Sequence, residues 1–301
     1  MRCVLPARGD ETRKKNEEPM RLNVEHRQPW DVEADVLAVT VPADDDWPAY
    51  LAEIDRRLDG TIGRLRDVGA LKGELWEARL LAAKDMAARF VLVVGIGDGS
   101  AVDRLGARRL GAVIVKRLAG LDVGTLAVHL TDALGAKGGA PQADVVELVV
   151  RGIIEGSADP KAIYNEVEDG VPELEAITLV VESGEADELE TRAQRGRIIG
   201  EGGNRTRRLA HRAANDVSPE VLADEAGVLA KAHGLELTVF GPEEAEKLGM
   251  GMFMAVGRGS DNPPRFIALR NKPAQKTDAS GRLLAMVGKG VTFDTGGISL
   301  K

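Results

Sequence analysis

Short apolar strands alternate with helical stretches over the first two thirds of the chain, and this order constrains the fold most strongly. Four runs rich in valine, leucine and isoleucine are predicted strands, at 36–41, 90–94, 125–130 and 177–181. Four stretches with helical spacing accompany them, at 47–68, 102–118, 142–155 and 186–197. Parallel strands need long crossover connections, which are usually helices. The order therefore predicts an α/β fold with a mostly parallel sheet covered on both faces.

The length of 301 residues is large for one hydrophobic core, so we expect two domains. Residues 20–190 carry the alternating pattern and form the first domain. Residues 191–215 are rich in arginine and interrupted by glycines, which predicts a linker helix. Residues 216–301 form the second domain, which opens with a helix at 220–233, a strand at 235–240 and a helix at 242–247. Residues 1–19 are charged and patternless, which predicts a disordered tail or a misassigned start before Met20.

Charge and cysteine content narrow the choice of partners. The net charge of −8 argues against a general affinity for nucleic acid, because phosphate contacts need a basic face. The arginines between 192 and 212 keep nucleic-acid contact open as the alternative to a solvated linker. A single cysteine, Cys3, forms no internal disulfide, which suits a reducing cytoplasm. No apolar run approaches the length needed to span a membrane.

Other motifs in the first domain are weak. The glycine-rich run 95–100 follows a predicted strand and could cradle a phosphate, but it is not a G-x-G-x-x-G and reads better as a strand-to-helix turn. The four histidines (His26, His129, His211 and His233) are scattered, with no H-E-x-x-H pair. A histidine zinc site of the usual kind is therefore not indicated.

The last fifteen residues read V-G-K-G-V-T-F-D-T-G-G-I-S-L-K and carry the strongest functional signal. A predicted apolar strand at 283–287 leads into Lys289, which is bracketed by glycines, and Asp294 and Lys301 follow. The strand would place these residues at its carboxyl end, where α/β enzymes keep their chemistry. A divalent cation nearby would favour the neutral amine of Lys289 as a ligand, and Asp294 would add a hard oxygen. Lys301 could stay cationic and polarise a carbonyl group.

This segment resembles the metal-binding signature of the leucyl aminopeptidase family of two-metal exopeptidases. The resemblance implies that Lys289 binds one metal ion, that Asp294 bridges two, and that Lys301 contacts the scissile carbonyl. The implied cofactors are two divalent ions, Mn²⁺ or Zn²⁺. Weaker upstream matches to the family lie at 215–219, 249–252, 257–260 and 263–265.

The family resemblance also implies an architecture and an activity. Its amino-terminal domain is similar to macro domains, and the segment after it would be the start of an α/β zinc-exopeptidase-like catalytic domain. The implied reaction is the release of amino-terminal residues, of the leucine type, from peptide substrates. The implied assembly is a homo-oligomer, a hexamer in the family, and the implied location is the cytoplasm.

One departure from the family pattern bears on activity. The family has further carboxylate ligands after the second lysine and an arginine in an N-T-D-A-E-G-R-L string, whereas this sequence stops at Lys301. A similar string at 277–283 precedes the first lysine and has Ser280 in place of the glutamate. We therefore expect poor metal binding and an inactive, truncated product. The alternative is a non-catalytic binding or assembly module, whose macro-like domain either takes a nucleotide-like ligand or packs against full-length subunits.

Overall fold

A computed structural model describes residues 20–164, 170–271 and 284–293 of the chain. The chain divides into two compact units, Met1–Arg207 and Arg208–Lys301, called unit 1 and unit 2 below. This division falls inside the segment 191–215 that was predicted as a linker helix.

The centre of unit 1 is a six-stranded sheet. Its strands are β1 (Arg21–Glu25), β2 (Val36–Val41), β3 (Ala78–Ala82), β4 (Phe90–Gly95), β5 (Thr125–Leu130) and β6 (Ala176–Val181). Their order is β1-β6-β5-β2-β4-β3, and every neighbouring pair is parallel except β3 and β4. The predicted α/β class with a mostly parallel sheet is therefore confirmed.

The two outermost strands escaped prediction because they lie at the sheet edges. In β1 only Leu22 is fully buried, and β3 has no fully buried residue. Edge strands of this kind lack the continuous apolar run that marks a strand buried on both faces. The four predicted strands are the inner ones, where that run is present.

The described part of unit 1 has five α-helices, of which four connect the strands and the fifth follows β6 and continues past Arg207. They are α1 (Ala49–Arg57), α2 (Thr61–Asp67), α3 (Arg104–Lys116), α4 (Gln142–Ser157) and α5 (Ala186–His211). The single helix predicted at 47–68 is two helices, because Asp59 and Gly60 adopt left-handed φ angles of 54° and 72° that end the first. The helix predicted to end at Arg197 continues to His211.

Two hydrophobic layers flank the sheet of unit 1. Side chains of α3, α4 and α5 pack over one face with Val36 and Ala38, whereas α1 and α2 pack over the other face with Leu37 and Val39. Neighbouring residues of β2 thus serve opposite layers, as the two-residue period of a strand requires. At the amino edge of the sheet, Asp35 joins the starts of β2 and β5. Its Oδ2 accepts hydrogen bonds of 2.9 Å from the backbone N–H groups of Gly124 and Thr125.

Helices α3, α4 and α5 approach one another closely through glycines. A Cβ atom at Gly152 of α4 would overlap the backbone carbonyl of Arg108 in α3, and one at Gly196 of α5 would overlap the backbone carbonyl of Glu147 in α4. Gly200, one turn after Gly196, faces the side chain of Ile154. These positions require glycine for a steric reason, although glycine weakens a helix.

Arginines of α5 bind carboxylates of α4 along the same contact. Arg195 Nε donates to Glu147 Oε1 at 3.2 Å, and Arg192 Nη1 donates to Glu147 Oε2 at 3.3 Å. Further along, Arg207 Nη1 donates to the backbone oxygen of Glu155 at 3.1 Å. The arginine-rich segment therefore forms specific ion pairs and hydrogen bonds within unit 1.

Beyond the end of α5, the described residues of unit 2 form three helices and a two-stranded sheet. Its elements are α6 (Pro219–His233), β7 (Glu236–Phe240), α7 (Pro242–Lys247), α8 (Gly251–Gly257) and β8 (Phe266–Arg270). The antiparallel strands β7 and β8 pair with each other. Ser218 Oγ accepts a 3.3 Å hydrogen bond from the N–H of Val221, and Gly234 adopts a φ of 62° after the helix. Both ends of α6 thus follow the standard capping chemistry.

Candidate active-site segment

The glycine-bracketed lysine lies in a segment without regular structure. Residues 284–293 form neither helix nor strand, and Lys289 is exposed. The strand predicted at 283–287 is therefore wrong over its described part, and Leu284 and Met286 are 88% and 93% exposed. An apolar run becomes a strand only when neighbouring strands satisfy its backbone groups. Within the described residues of unit 2, the strand pairing joins β7 to β8.

Asp294 and Lys301 lie outside the described residues, as does the whole string at 277–283 that resembles the family's N-T-D-A-E-G-R-L. Their predicted roles, and their distance from Lys289, stay predictions. Within the described ranges, no group of three or more His, Cys, Asp or Glu residues could hold a metal ion.

The upstream segments that resemble the family make structural contacts in unit 2. A Cβ atom at Gly257 would lie 2.6 Å from Cγ of Pro264, so the glycine allows the end of α8 to pack against the proline pair. Arg212 binds Asp216 through both carboxylate oxygens, at 2.7 and 2.9 Å. These contacts give the upstream matches a structural role in unit 2.

A second group of polar side chains lies near the carboxyl ends of the central strands in unit 1. Thr40 of β2 and His129 of β5 are buried, and Glu182 directly follows β6. The Tyr50 hydroxyl donates to the backbone oxygen of Thr40 at 2.8 Å. The Tyr50 ring meets the imidazole of His129 edge to face, with ring centroids 4.5 Å apart.

Burial perturbs the titration of both aromatic groups. Desolvation raises the pKa of Tyr50 to about 12, so its hydroxyl stays protonated. Desolvation lowers the pKa of His129 from 6.5 to about 4, so the imidazole is neutral near pH 7. Its Nε2 lies 3.8 Å from Glu182 Oε1, whereas Nδ1 has no hydrogen-bond partner.

Sequence analysis missed this group because it treated His129 as one of four scattered histidines. The positions of three residues relative to the predicted strands could have indicated this group of polar side chains. Thr40 and His129 occupy the next-to-last positions of two such strands, and Glu182 comes immediately after a third. Carboxyl ends of parallel strands meet at one edge of a sheet, so these residues could be expected to lie along the same edge.

The run 95–100 is a strand-to-helix turn in the structure. Gly97 and Gly99 adopt φ angles of 62° and 84°, and the carboxylate of Asp98 accepts hydrogen bonds from the N–H and the hydroxyl of Ser100. Lys137 Nζ donates to the backbone oxygen of Asp98 at 2.9 Å. The N–H of Ser100 and the ammonium of Lys137, two donors that could bind a phosphate, are thus occupied by contacts within the chain.

The six-stranded sheet of unit 1 and the glycine-bracketed Lys289 of unit 2 define a class of two-unit α/β proteins. Two family profiles place the chain within it. The N-terminal domain of the cytosol aminopeptidase family matches residues 36–158, and the catalytic domain of that family matches residues 204–301. The chain belongs to the cytosol aminopeptidase family.

Individual relatives agree with this assignment. A probable cytosol aminopeptidase of Solibacter usitatus is 34% identical over 94% of this chain and 54% of its own length. One from Persephonella marina is 29% identical over 88% of this chain and 52% of its own length. The chain thus spans about half the length of the curated relatives that it matches.

Solved structures show the same fold. A tomato leucine aminopeptidase mutant, K354E, superposes with a TM-score of 0.72 at 21% identity, covering 86% of this chain and 52% of the tomato chain. The bottromycin maturation enzyme BotP in complex with Mn superposes with a TM-score of 0.59 at 23% identity, covering 80% of this chain and 46% of BotP. In the part of the chain that the structure describes, no helix is long and apolar enough to cross a membrane.

Proposed function

We propose that this chain carries the first part of a metal-dependent aminopeptidase that releases amino-terminal residues, of the leucine type, from peptides. The observation that carries the proposal is the K-x4-D-x-G-G-x3-K string from Lys289 to Lys301, which lies inside the match to the catalytic domain. The matches to the N-terminal and catalytic domains of the cytosol aminopeptidase family also support the proposal. Following the family, the assembly would be a homo-oligomer, a hexamer, in the cytoplasm.

The proposed site assigns a distinct task to each of the three residues. Lys289 and Asp294 would hold two divalent metal ions, Mn²⁺ or Zn²⁺, through a neutral amine and a carboxylate. These ions would supply Lewis acidity toward the substrate carbonyl and a water molecule. Lys301 would remain protonated and stabilise the negative charge that develops on the scissile carbonyl oxygen.

The donors on this chain fit part of that metal site. An amine and a carboxylate are suitable ligands for such ions, and the exposed position of Lys289 leaves its amine accessible. A two-metal site needs more carboxylates than Asp294 alone provides. We therefore propose that the 301-residue chain binds these ions poorly and is inactive by itself.

The test is a hydrolysis assay with a leucyl-anilide substrate in the presence of Mn²⁺. The 301-residue chain should release no measurable product. A chimera in which this chain is continued by the remaining carboxyl-terminal part of the Solibacter relative should hydrolyse the substrate. Robust turnover by the 301-residue chain, or a folded chimera without activity, would contradict the proposal.

The binding-module alternative finds little support in unit 1. At the carboxyl edge of its sheet, Asp98 follows β4, Asp132 follows β5 and Glu182 follows β6. Such a concentration of negative charge opposes a phosphate-bearing ligand. The turn at 95–100 is also filled by contacts of its own, as described above.

A further inference from the structure

The sheet of unit 1 ends at β1, whose outer edge pairs with no other strand among the described residues. The five residues of this strand, R-L-N-V-E, include no proline or lysine, and their register against β6 continues without a bulge. Natural proteins usually block an exposed strand edge with such features, because an open edge can pair with a strand of another chain. The edge at β1 is therefore able to accept an added strand.

The backbone groups on this outer edge belong to Leu22 and Val24. The N–H of Arg21 donates to the backbone oxygen of Glu175 at 2.9 Å, so the polar backbone groups of Arg21 point toward β6. Backbone N–H and C=O groups alternate in direction along a strand, so Leu22 and Val24 direct theirs away from β6. Two donors and two acceptors thus line the outer edge of β1.

The side chains of β1 separate into an apolar face and a polar face. Leu22 is buried and Val24 is half-buried, and both pack into the hydrophobic layer that α3, α4 and α5 form. Arg21, Asn23 and Glu25 lie on the other face, as the two-residue period of a strand requires. The polar face therefore begins with a positive charge and ends with a negative one.

This order of residues is self-complementary about Asn23. In an antiparallel pair of two β1 strands with Asn23 opposite Asn23, each Leu22 lies opposite a Val24 and each Arg21 lies opposite a Glu25. The outward groups of Leu22 and Val24 then form four backbone hydrogen bonds, two for each facing pair. Opposite charges at directly facing positions stabilise such a pair further. Backbone groups, apolar side chains and charges all match in the same register.

The strand at the other edge of the sheet lacks this symmetry. In an antiparallel pair of two β3 strands centred on Leu80, Arg79 would lie opposite Leu81, so a charge would face an apolar side chain. In β1, the carboxylate of Glu25 already binds Arg27 at 3.0 Å. A carboxylate has about four acceptor positions, so Glu25 can bind a second arginine as well.

We propose that β1 is a docking surface for β1 of a second copy of this chain, which joins two six-stranded sheets into one continuous sheet across a two-fold axis at Asn23. The contact uses the same surface of both copies, so it closes at two copies. A pair of five-residue strands buries less area than a standard protein interface, so the dimer is weak. The inference concerns unit 1 and does not depend on the proposed peptidase activity.

The first test changes the charges and measures self-association of the 301-residue chain by sedimentation. Arg21→Glu alone, or Glu25→Arg alone, places like charges opposite each other at two positions and should weaken the dimer by roughly tenfold. An equimolar mixture of these two variants should regain the dimer, because each glutamate then lies opposite an arginine. Arg79→Glu on the edge strand β3 is the control and should leave the dimer unchanged.

The second test locates the contact by disulfide formation. Cys3→Ser removes the single native cysteine, and Asn23→Cys then introduces one at the two-fold axis. Facing residues that exchange no backbone hydrogen bonds have Cα atoms about 4.5 Å apart, which is within the range of a disulfide. Oxidation should therefore link two copies through Asn23→Cys. Val68→Cys in unit 1, at a site that is 76% exposed, should give no such link.

Three results would overturn the proposal. They are a chain that stays monomeric at about 1 mM, a mixture of Arg21→Glu and Glu25→Arg that associates no better than either variant alone, and equal cross-linking of the two cysteine variants. Protection of the β1 amides from hydrogen exchange in a monomeric chain would also overturn it, because another part of the same chain would then cover the edge.

Discussion

For two glycines in the middle of α5, we expect replacement by alanine to have different effects on the stability of unit 1. Gly196 lies against α4, where a Cβ atom would overlap the backbone carbonyl of Glu147, whereas a Cβ atom at Gly202 would meet nothing within 4 Å. We expect Gly202→Ala to stabilise unit 1 and Gly196→Ala to destabilise it relative to Gly202→Ala. The comparison is matched because both residues lie in the same helix.

The magnitude follows from two contributions to the free energy of unfolding. Replacing glycine by alanine in a helix stabilises it by about 1 kcal/mol. That gain is common to both variants and cancels in their difference. At Gly196 the added methyl group meets rigid backbone, and overpacking of this kind costs about 1–3 kcal/mol. The two variants should therefore differ by about 1–3 kcal/mol.

Urea unfolding followed by tryptophan fluorescence measures this difference. The three tryptophans (Trp30, Trp47 and Trp76) all lie in unit 1, so the signal reports that unit. With a urea dependence of about 2 kcal/mol per molar, the midpoints should be separated by roughly 0.5–1.5 M. Equal midpoints for the two variants would refute the reasoning, because they would show that α5 does not contact α4 at Gly196.

The remaining predictions concern pH and the proposed active site. His129 has its pKa lowered from 6.5 to about 4, so the unfolded chain binds a proton between these values that the folded chain does not. Stability should fall by roughly 3 kcal/mol as the pH drops through this window, and His129→Phe should remove that dependence, unlike His26→Phe at an exposed site. In an active chimera, Asp294→Ala should lose both metal ions by metal analysis. Lys301→Ala should keep the metal ions and lose about 100- to 1000-fold in turnover; loss of metal from this variant would disprove its assigned role.

The inner strands of unit 1 were predictable because burial on both faces leaves a local record in the sequence. β2 and β5 are rich in Val, Leu and Ala and almost wholly buried, whereas the edge strand β3 has no fully buried residue. The break between α1 and α2 was missed since it depends on the backbone angle of Asp59, a residue type that also occurs inside helices. Sequence pattern thus records burial better than it records backbone geometry.

At the candidate site, prediction from the sequence is limited in a different way. The motif around Lys289 identifies a chemical signature from residue types and spacing alone, which is why the family could be inferred. The strand expected before it did not form, because pairing with neighbouring strands is a property of the whole sheet and not of residues 284–287. Conversely, the shared location of Thr40 and His129 at the carboxyl edge of the sheet follows from topology, and it becomes visible only when the strands are placed side by side.

The glycine contacts of α5 also limit how this protein can vary in length. Leu189, Ala193, Gly196 and Gly200 are its buried residues, and they recur every three or four positions on one side of the helix. One inserted residue would rotate everything after it by about 100°, since a turn contains 3.6 residues. A bulky side chain would then face the carbonyl of Glu147. Insertions should therefore be absent from this stretch of α5 in related sequences.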